Sequence, residues 1–102
     1  MATVAKLVWD FKDPDEILDF DINWTRSLTD FAGAVDVIAT STWTIITGAP
    51  SLVKEFDEFT DQFTKVWLSG GTLGVNCELL NRITTTGGRT LDQTVYLKIK
   101  KR

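Results

Sequence analysis

The residues best suited to chemistry in this sequence are carboxylates, glycines and one thiol. Asp13, Asp15, Glu16, Asp19 and Asp21 crowd a short stretch, and closely spaced carboxylates are how proteins collect hard cations such as calcium. The calcium-loop pattern is not met. Trp24 follows Asn23 where the sharp turn needs glycine, and Asp30 stands where a bidentate glutamate belongs. Ser69-Gly70-Gly71-Thr72-Leu73-Gly74 offers backbone amides of the kind that cradle phosphate, yet no Lys-Ser/Thr follows it. This run, and Thr84 to Thr90 likewise, reads as a connection between strands. Histidine is absent and Cys77 is the single cysteine. Ser-His-Asp and Cys-His machinery, mixed zinc sites and an intrachain disulfide are therefore all excluded. Paired carboxylates are the one enzymatic route left open, and nothing marks a cleft for them. The sequence assigns no catalytic residue, no metal ligand and no cofactor.

The elements that position these groups follow from length and rhythm. A chain of 102 residues with 43% hydrophobic and 25% charged residues buries roughly 65% of its unfolded surface and supports one core. From Leu18 to Trp24 apolar residues occupy every second position, with Asp19, Asp21 and Asn23 between them. That is the signature of a strand with one face buried. Asp19 and Asp21 then belong to a solvated face, where they also blunt an edge strand. Asp13-Pro14-Asp15 is a turn leading into it. Val35 to Ile46 is dense in β-branched residues, with Val37, Ala39, Ser41, Trp43 and Ile45 expected on the inner face, and Gly48-Ala49-Pro50 ends it. Leu52 to Phe63 is ambiguous between a short strand and a turn of helix. Thr64 to Leu68 is a strand stopped by Ser69-Gly70-Gly71. Val75 to Ile83 and Leu91 to Ile99 alternate on either side of Gly87-Gly88, a pair able to take the positive φ angles of a tight hairpin.

Short strands with turn signals between them predict an all-β, immunoglobulin-like antiparallel sandwich in a single domain. Residues 12–102 form the sandwich, and residues 1–11 are an N-terminal arm or an edge strand. Trp24 and Trp43 are its expected large core members, and Cys77 sits on an apolar face as an inert thiol.

Charge and hydropathy narrow the partners. A net charge of −3 argues against neutralising a phosphate backbone, so nucleic acid is not expected. No apolar run approaches the roughly 20 residues of a membrane span, and Met1 to Trp9 lacks the pattern of an export signal. A soluble protein kept inside a cell, without a membrane partner, is the expectation. Trp9 and Phe11 precede the first clear strand and either anchor an interface or cover the sandwich as an extra edge. Lys98-Ile99-Lys100-Lys101-Arg102 is either a fraying, solvated strand end or a dock for an acidic surface.

Four pieces occur together in order. They are Lys12-Asp13-Pro14-Asp15-Glu16-Ile17-Leu18-Asp19-Phe20 leading into Trp24, Asp36 to Trp43, Val66-Trp67-Leu68-Ser69-Gly70-Gly71-Thr72 with Gly74, and Asn81-Arg82-Ile83-Thr84-Thr85 with Gly88-Arg89-Thr90. Together they resemble the small bacteriophage fibre-tail adaptor proteins from about Lys12 to Ile99. The sequence departs from that pattern at Asn23, where relatives tend to carry an acid, and in a lengthened loop from Thr29 to Val35. The resemblance implies a non-enzymatic virion protein with an immunoglobulin-like fold, assembled in the host cytoplasm. It would link tail or neck to fibres or neighbouring structural proteins. Passive assembly of a homo-oligomer suits such a chain, because modest contacts repeat around a symmetric particle. The expected interface residues are Trp9 and Phe11, Trp67 with Gly70 and Gly71, and the hairpin tip Gly87, Gly88 and Arg89. Aromatics would supply apolar anchors and glycines close backbone approach. A capsid decoration or head-fibre base is the alternative within structural proteins. A carbohydrate- or receptor-binding sandwich, with Trp67 and Trp9 stacking on sugar rings, is the alternative outside them.

Overall fold

The computed structural model describes residues 7–29 and 33–101, and the two-residue rhythm of the sequence sorts them into two sheets. The elements are β1 (Leu7–Val8), β2 (Leu18–Asn23), the single helical turn α1 (Thr25–Leu28), β3 (Ile38–Thr47), β4 (Leu52–Phe59), β5 (Phe63–Gly70), β6 (Asn76–Thr85) and β7 (Thr90–Lys98). One sheet has the order β1-β7-β6-β3 and the other β2-β5-β4. β1 runs parallel to β7, and the other pairs are antiparallel. This is the expected immunoglobulin-like sandwich, with the first strand laid against the last.

Between the sheets, every second residue of β5, β6 and β7 is buried. Val66 and Leu68 face Cys77, Leu79, Ile83, Val95 and Leu97, with Trp24 and Trp43 among them. A polar stitch crosses this apolar layer. The Trp24 indole N–H is 3.1 Å from both the Thr64 hydroxyl and the Asn81 side-chain oxygen, and Thr64 donates to that same oxygen at 2.7 Å. The Asn81 amide nitrogen donates in turn to the Ser41 hydroxyl at 3.0 Å and the Thr42 carbonyl at 2.9 Å. Residues of both sheets thus satisfy one another, so the polar atoms of this stitch cost little.

The turn before β2 forms as its residues dictate. The Asp13 carboxylate accepts from the Asp15 amide at 2.9 Å, and the Glu16 amide donates to the Asp13 carbonyl at 3.0 Å. In the β6–β7 hairpin, Thr85 and Arg89 close the loop and only Gly88 takes positive φ, at 88°. One left-handed residue after a turn is the three-residue solution rather than a two-residue one.

Several expectations change. Leu52 to Phe63 contains a full strand, β4, and no helix. In β3 the register shifts between Ile38 and Thr40, so Ile38 is buried and Ala39 exposed while Trp43 keeps its inward place. An extra residue in one strand reverses the facing of everything before it. The C-terminal run does not fray at Lys98: Ile99 is buried, Lys12 bridges to it, and the Lys100 amide donates to the Lys12 carbonyl at 2.8 Å. Lys6 of the arm, Asp30 and the rest of the 30–32 part of the lengthened loop, and Arg102 lie outside the described residues.

Candidate functional site

The residues expected to form an interface fall in separate regions of the sandwich. Trp9 does not stand clear of the core. Its ring stacks on Phe20 with centroids 4.8 Å apart, tilts against Trp43 at 5.7 Å, and donates its N–H to the Asp21 carbonyl at 3.2 Å. It closes one side of the sandwich. Phe11 is half-buried, with the Lys100 ammonium 4.9 Å above its ring.

Gly70 ends β5 and Gly71 follows it, and their smallness is used within the fold. At φ 72° and 107°, a Cβ on Gly70 would lie 2.2 Å from the Ser51 carbonyl oxygen, and one on Gly71 would lie 2.7 Å from Ile99. The Gly70 carbonyl accepts from Lys12, whose ammonium is fully buried and also donates to the Asp13 carbonyl, at 2.7 and 2.9 Å. Burial pushes the lysine below its ordinary range, and the carboxylates of Glu16, Asp13 and Asp15 oppose that shift. Cys77 is buried beneath this end, and burial raises its thiol pKa, against the pull of Lys12. A desolvated thiol of this kind is a poor nucleophile.

At the other end of the sandwich Asp36 pins the hairpin tip. Its carboxylate accepts from the Gly87 amide at 3.0 Å, the Thr86 hydroxyl at 3.1 Å and the Val37 amide at 2.9 Å. Hydrogen bonding, foremost from Thr85, holds it below the usual aspartate range. A Cβ on Gly87 would meet this carboxylate at 2.7 Å, whereas Gly88 has open space around it. Arg89 is exposed and its amide donates to the Thr85 hydroxyl at 3.0 Å.

Trp67 lies elsewhere again, on the outer face of the β2-β5-β4 sheet. Register sets Asp19 and Phe56 on either side of it, and the next rung is Asp21, Lys65 and Glu58. Phe63 follows opposite Asn23. Phe56 is 57% exposed, and Phe59 and Phe63 are each 42% exposed. These three phenylalanines were not singled out from sequence, because the ambiguity of Leu52 to Phe63 hid which side they occupy. The three strands carry five carboxylates (Asp19, Asp21, Glu55, Asp57, Glu58) against two lysines (Lys54, Lys65). That excess equals the net charge of the whole chain, −3. Among the described residues, no three metal-ligating side chains converge there or elsewhere.

What this immunoglobulin-like sandwich turns outward is surface: an aromatic, acidic sheet face, two tied-down ends and a polar second face. Residues 12–98 match the family model of the podophage GP4 fiber-tail adaptor protein gp77. The chain belongs to that family, one of phage structural adaptors. No curated protein matches it.

Proposed function

We propose that this chain is a non-enzymatic joint of the podophage virion, linking tail or neck to fibres or to neighbouring structural proteins. It is assembled in the host cytoplasm and works as repeated copies around the particle axis. The observation that carries this reading is the outer face of the β2-β5-β4 sheet. Membership of an adaptor family calls for exposed surface that holds other proteins, and here Phe56, Phe63 and the half-buried Trp67 share one sheet face with carboxylates around them. Aromatic anchors with a polar surround are what binding surfaces use. Phe11 and Arg89 are further contact candidates. Gly70, Gly71 and Gly87 serve by shaping the loops behind them.

The test is structural and genetic. Particles made without this gene are expected to lack fibres, and supplying the chain in trans is expected to restore them. Density for the chain is expected in regular copies where fibre meets tail. Fibre-bearing particles without the chain, or copies scattered over the capsid shell, overturn the reading.

A further inference from the structure

A concave place lies where the aromatic face meets the turn between β4 and β5. A cleft of about 330 Å³ is lined by Asp21, Glu58, Phe59, Thr60, Phe63 and Lys65, near the lower end of the size range of ligand sites. Two partly exposed phenyl rings lie beside two carboxylates from different strands. The single lysine of the cleft stands on the rung between Asp21 and Glu58, and its ammonium is 3.4 Å from Asp19. Asp21 and Glu58 make no ion pair among the described residues, in contrast to Asp57 with Lys54 and Asp92 with Arg82. Two aromatic faces and two unpaired carboxylates are the complement of a flat cation. Guanidinium fits them better than ammonium, because it stacks on a ring while its edge donates to carboxylates.

We propose that the Phe59–Phe63 cleft receives an arginine side chain of the partner structural protein. This names the occupant of the aromatic face and so rests on the adaptor reading. Charge decides against a second copy presenting the same face. Two sheets with the same acidic excess repel when juxtaposed, and the polar face of the other sheet has its exposed Arg82 already held by Asp92. Docking of the exposed hairpin-tip Arg89 of another copy is the self-association outcome tested by light scattering. A basic segment of another protein gains from both features.

The probe is N-acetyl-arginine amide, titrated into the full isotopically labelled chain, with N-acetyl-lysine amide and N-acetyl-leucine amide alongside. Saturable amide shifts confined to Asp21 and the Glu58 to Lys65 region are expected for the arginine probe. The lysine probe should bind more weakly and the leucine probe should leave these signals in place. Asp21→Asn with Glu58→Gln should weaken arginine binding roughly tenfold, as should Phe63→Ala, while the remaining spectrum stays unchanged. Scattered shifts, equal response to leucine or lysine, or indifference to the paired substitution overturn the proposal. So does self-association through this cleft seen by light scattering.

A second arm separates the two ideas. Phage lacking the gene are supplied with either the unmodified chain or the D21N/E58Q chain. Loss of the variant alone from particles supports the cleft as the docking point. Equal incorporation of both overturns it while leaving the adaptor reading intact. Absence of the unmodified chain from particles defeats the adaptor reading, and the titration then decides the chemistry of the cleft by itself.

Discussion

The two outer faces of this sandwich share a core and differ in almost everything else. On the β1-β7-β6-β3 face several cross-strand partners are polar and paired with each other, with the exposed Val8 and Ile46 set apart towards its edge strands. Arg82 grips Asp92 through two bonds of 2.7 and 2.9 Å, Thr40 meets Thr84 at 2.5 Å, and Thr42 and Thr94 lie exposed or half-exposed near them. On the β2-β5-β4 face, aromatic rings stand next to carboxylates that outnumber their cations. The first face pairs Arg82 with Asp92 and Thr40 with Thr84 within itself. The second leaves apolar area and charge for something else to satisfy, and isolated exposed apolar residues turn into a patch worth explaining once a sheet collects them. On the proposed adaptor reading, that difference makes the second face the binding surface.

The largest expected effect removes the frame that holds both faces. Asn81→Ala deletes the hub of the stitch, taking the acceptor from the buried Thr64 hydroxyl, the donor from Ser41 and the Thr42 carbonyl, and one of two acceptors from the Trp24 N–H. A loss of about 3 kcal/mol or more in chemical denaturation is expected, with both faces compromised together. A loss below about 1 kcal/mol would mean that the stitch is incidental. Trp24 and Trp43 sharpen the same point. Trp24 has two partners for its N–H, and Trp43 has none for its buried one among the described residues. Trp24→Phe should therefore cost about 2 kcal/mol, and Trp43→Phe should cost less because no hydrogen bond is lost. Thermal or denaturant unfolding of the two variants side by side checks the order.

Substitutions on the faces test the contrast directly. Phe56→Ala and Phe63→Ala should change stability by less than about 1 kcal/mol, since both rings are substantially exposed, yet lower incorporation into particles. Thr42→Ala with Thr94→Ala on the opposite face should alter neither quantity. Equal incorporation of all three variants would erase the functional distinction between the faces.

The smallest effect is one of acid pH. The Asp36 carboxyl is held low by its hydrogen bonds in the folded state. Its contribution is therefore complete above the ordinary aspartate pKa of about 3.9 and is lost as pH falls through the lower folded value. Asp36→Asn should lack that loss, so melting curves of the two proteins taken from about pH 6 to about pH 2 should converge at the acid end. Parallel curves would show that the hairpin pin contributes nothing.

The β6–β7 hairpin was legible because each of its features agreed. Cys77, Leu79, Asn81 and Ile83 faced inward from one strand, Leu91, Gln93, Val95 and Leu97 from the other, and glycines lay between. β4 was not legible, because Phe56 and Phe59 differ in parity and the register shifts between Lys54 and Phe56. A bulge and a strand exposed along much of its length remove the alternation that periodicity needs. The aromatic face was hidden for the same reason, and Trp67 alone pointed to it. Trp9 was ambiguous in sequence, since whether an aromatic before the first strand anchors a partner or seals the fold depends on what lies opposite it. Phe20 and Trp43 lie opposite it.

From the order of residues alone came the two-sheet architecture, the absence of histidine-based chemistry, and the pairing of the final hairpin. These depend on local rhythm, turn residues and composition, which a linear chain already contains. Tertiary structure decided that Lys12 is buried on the Gly70 carbonyl, that Trp9 closes the sandwich, and that Asp21, Glu58, Phe59 and Phe63 share one cleft. Those juxtapositions join residues distant along the chain, and they exist only after strand register has been set.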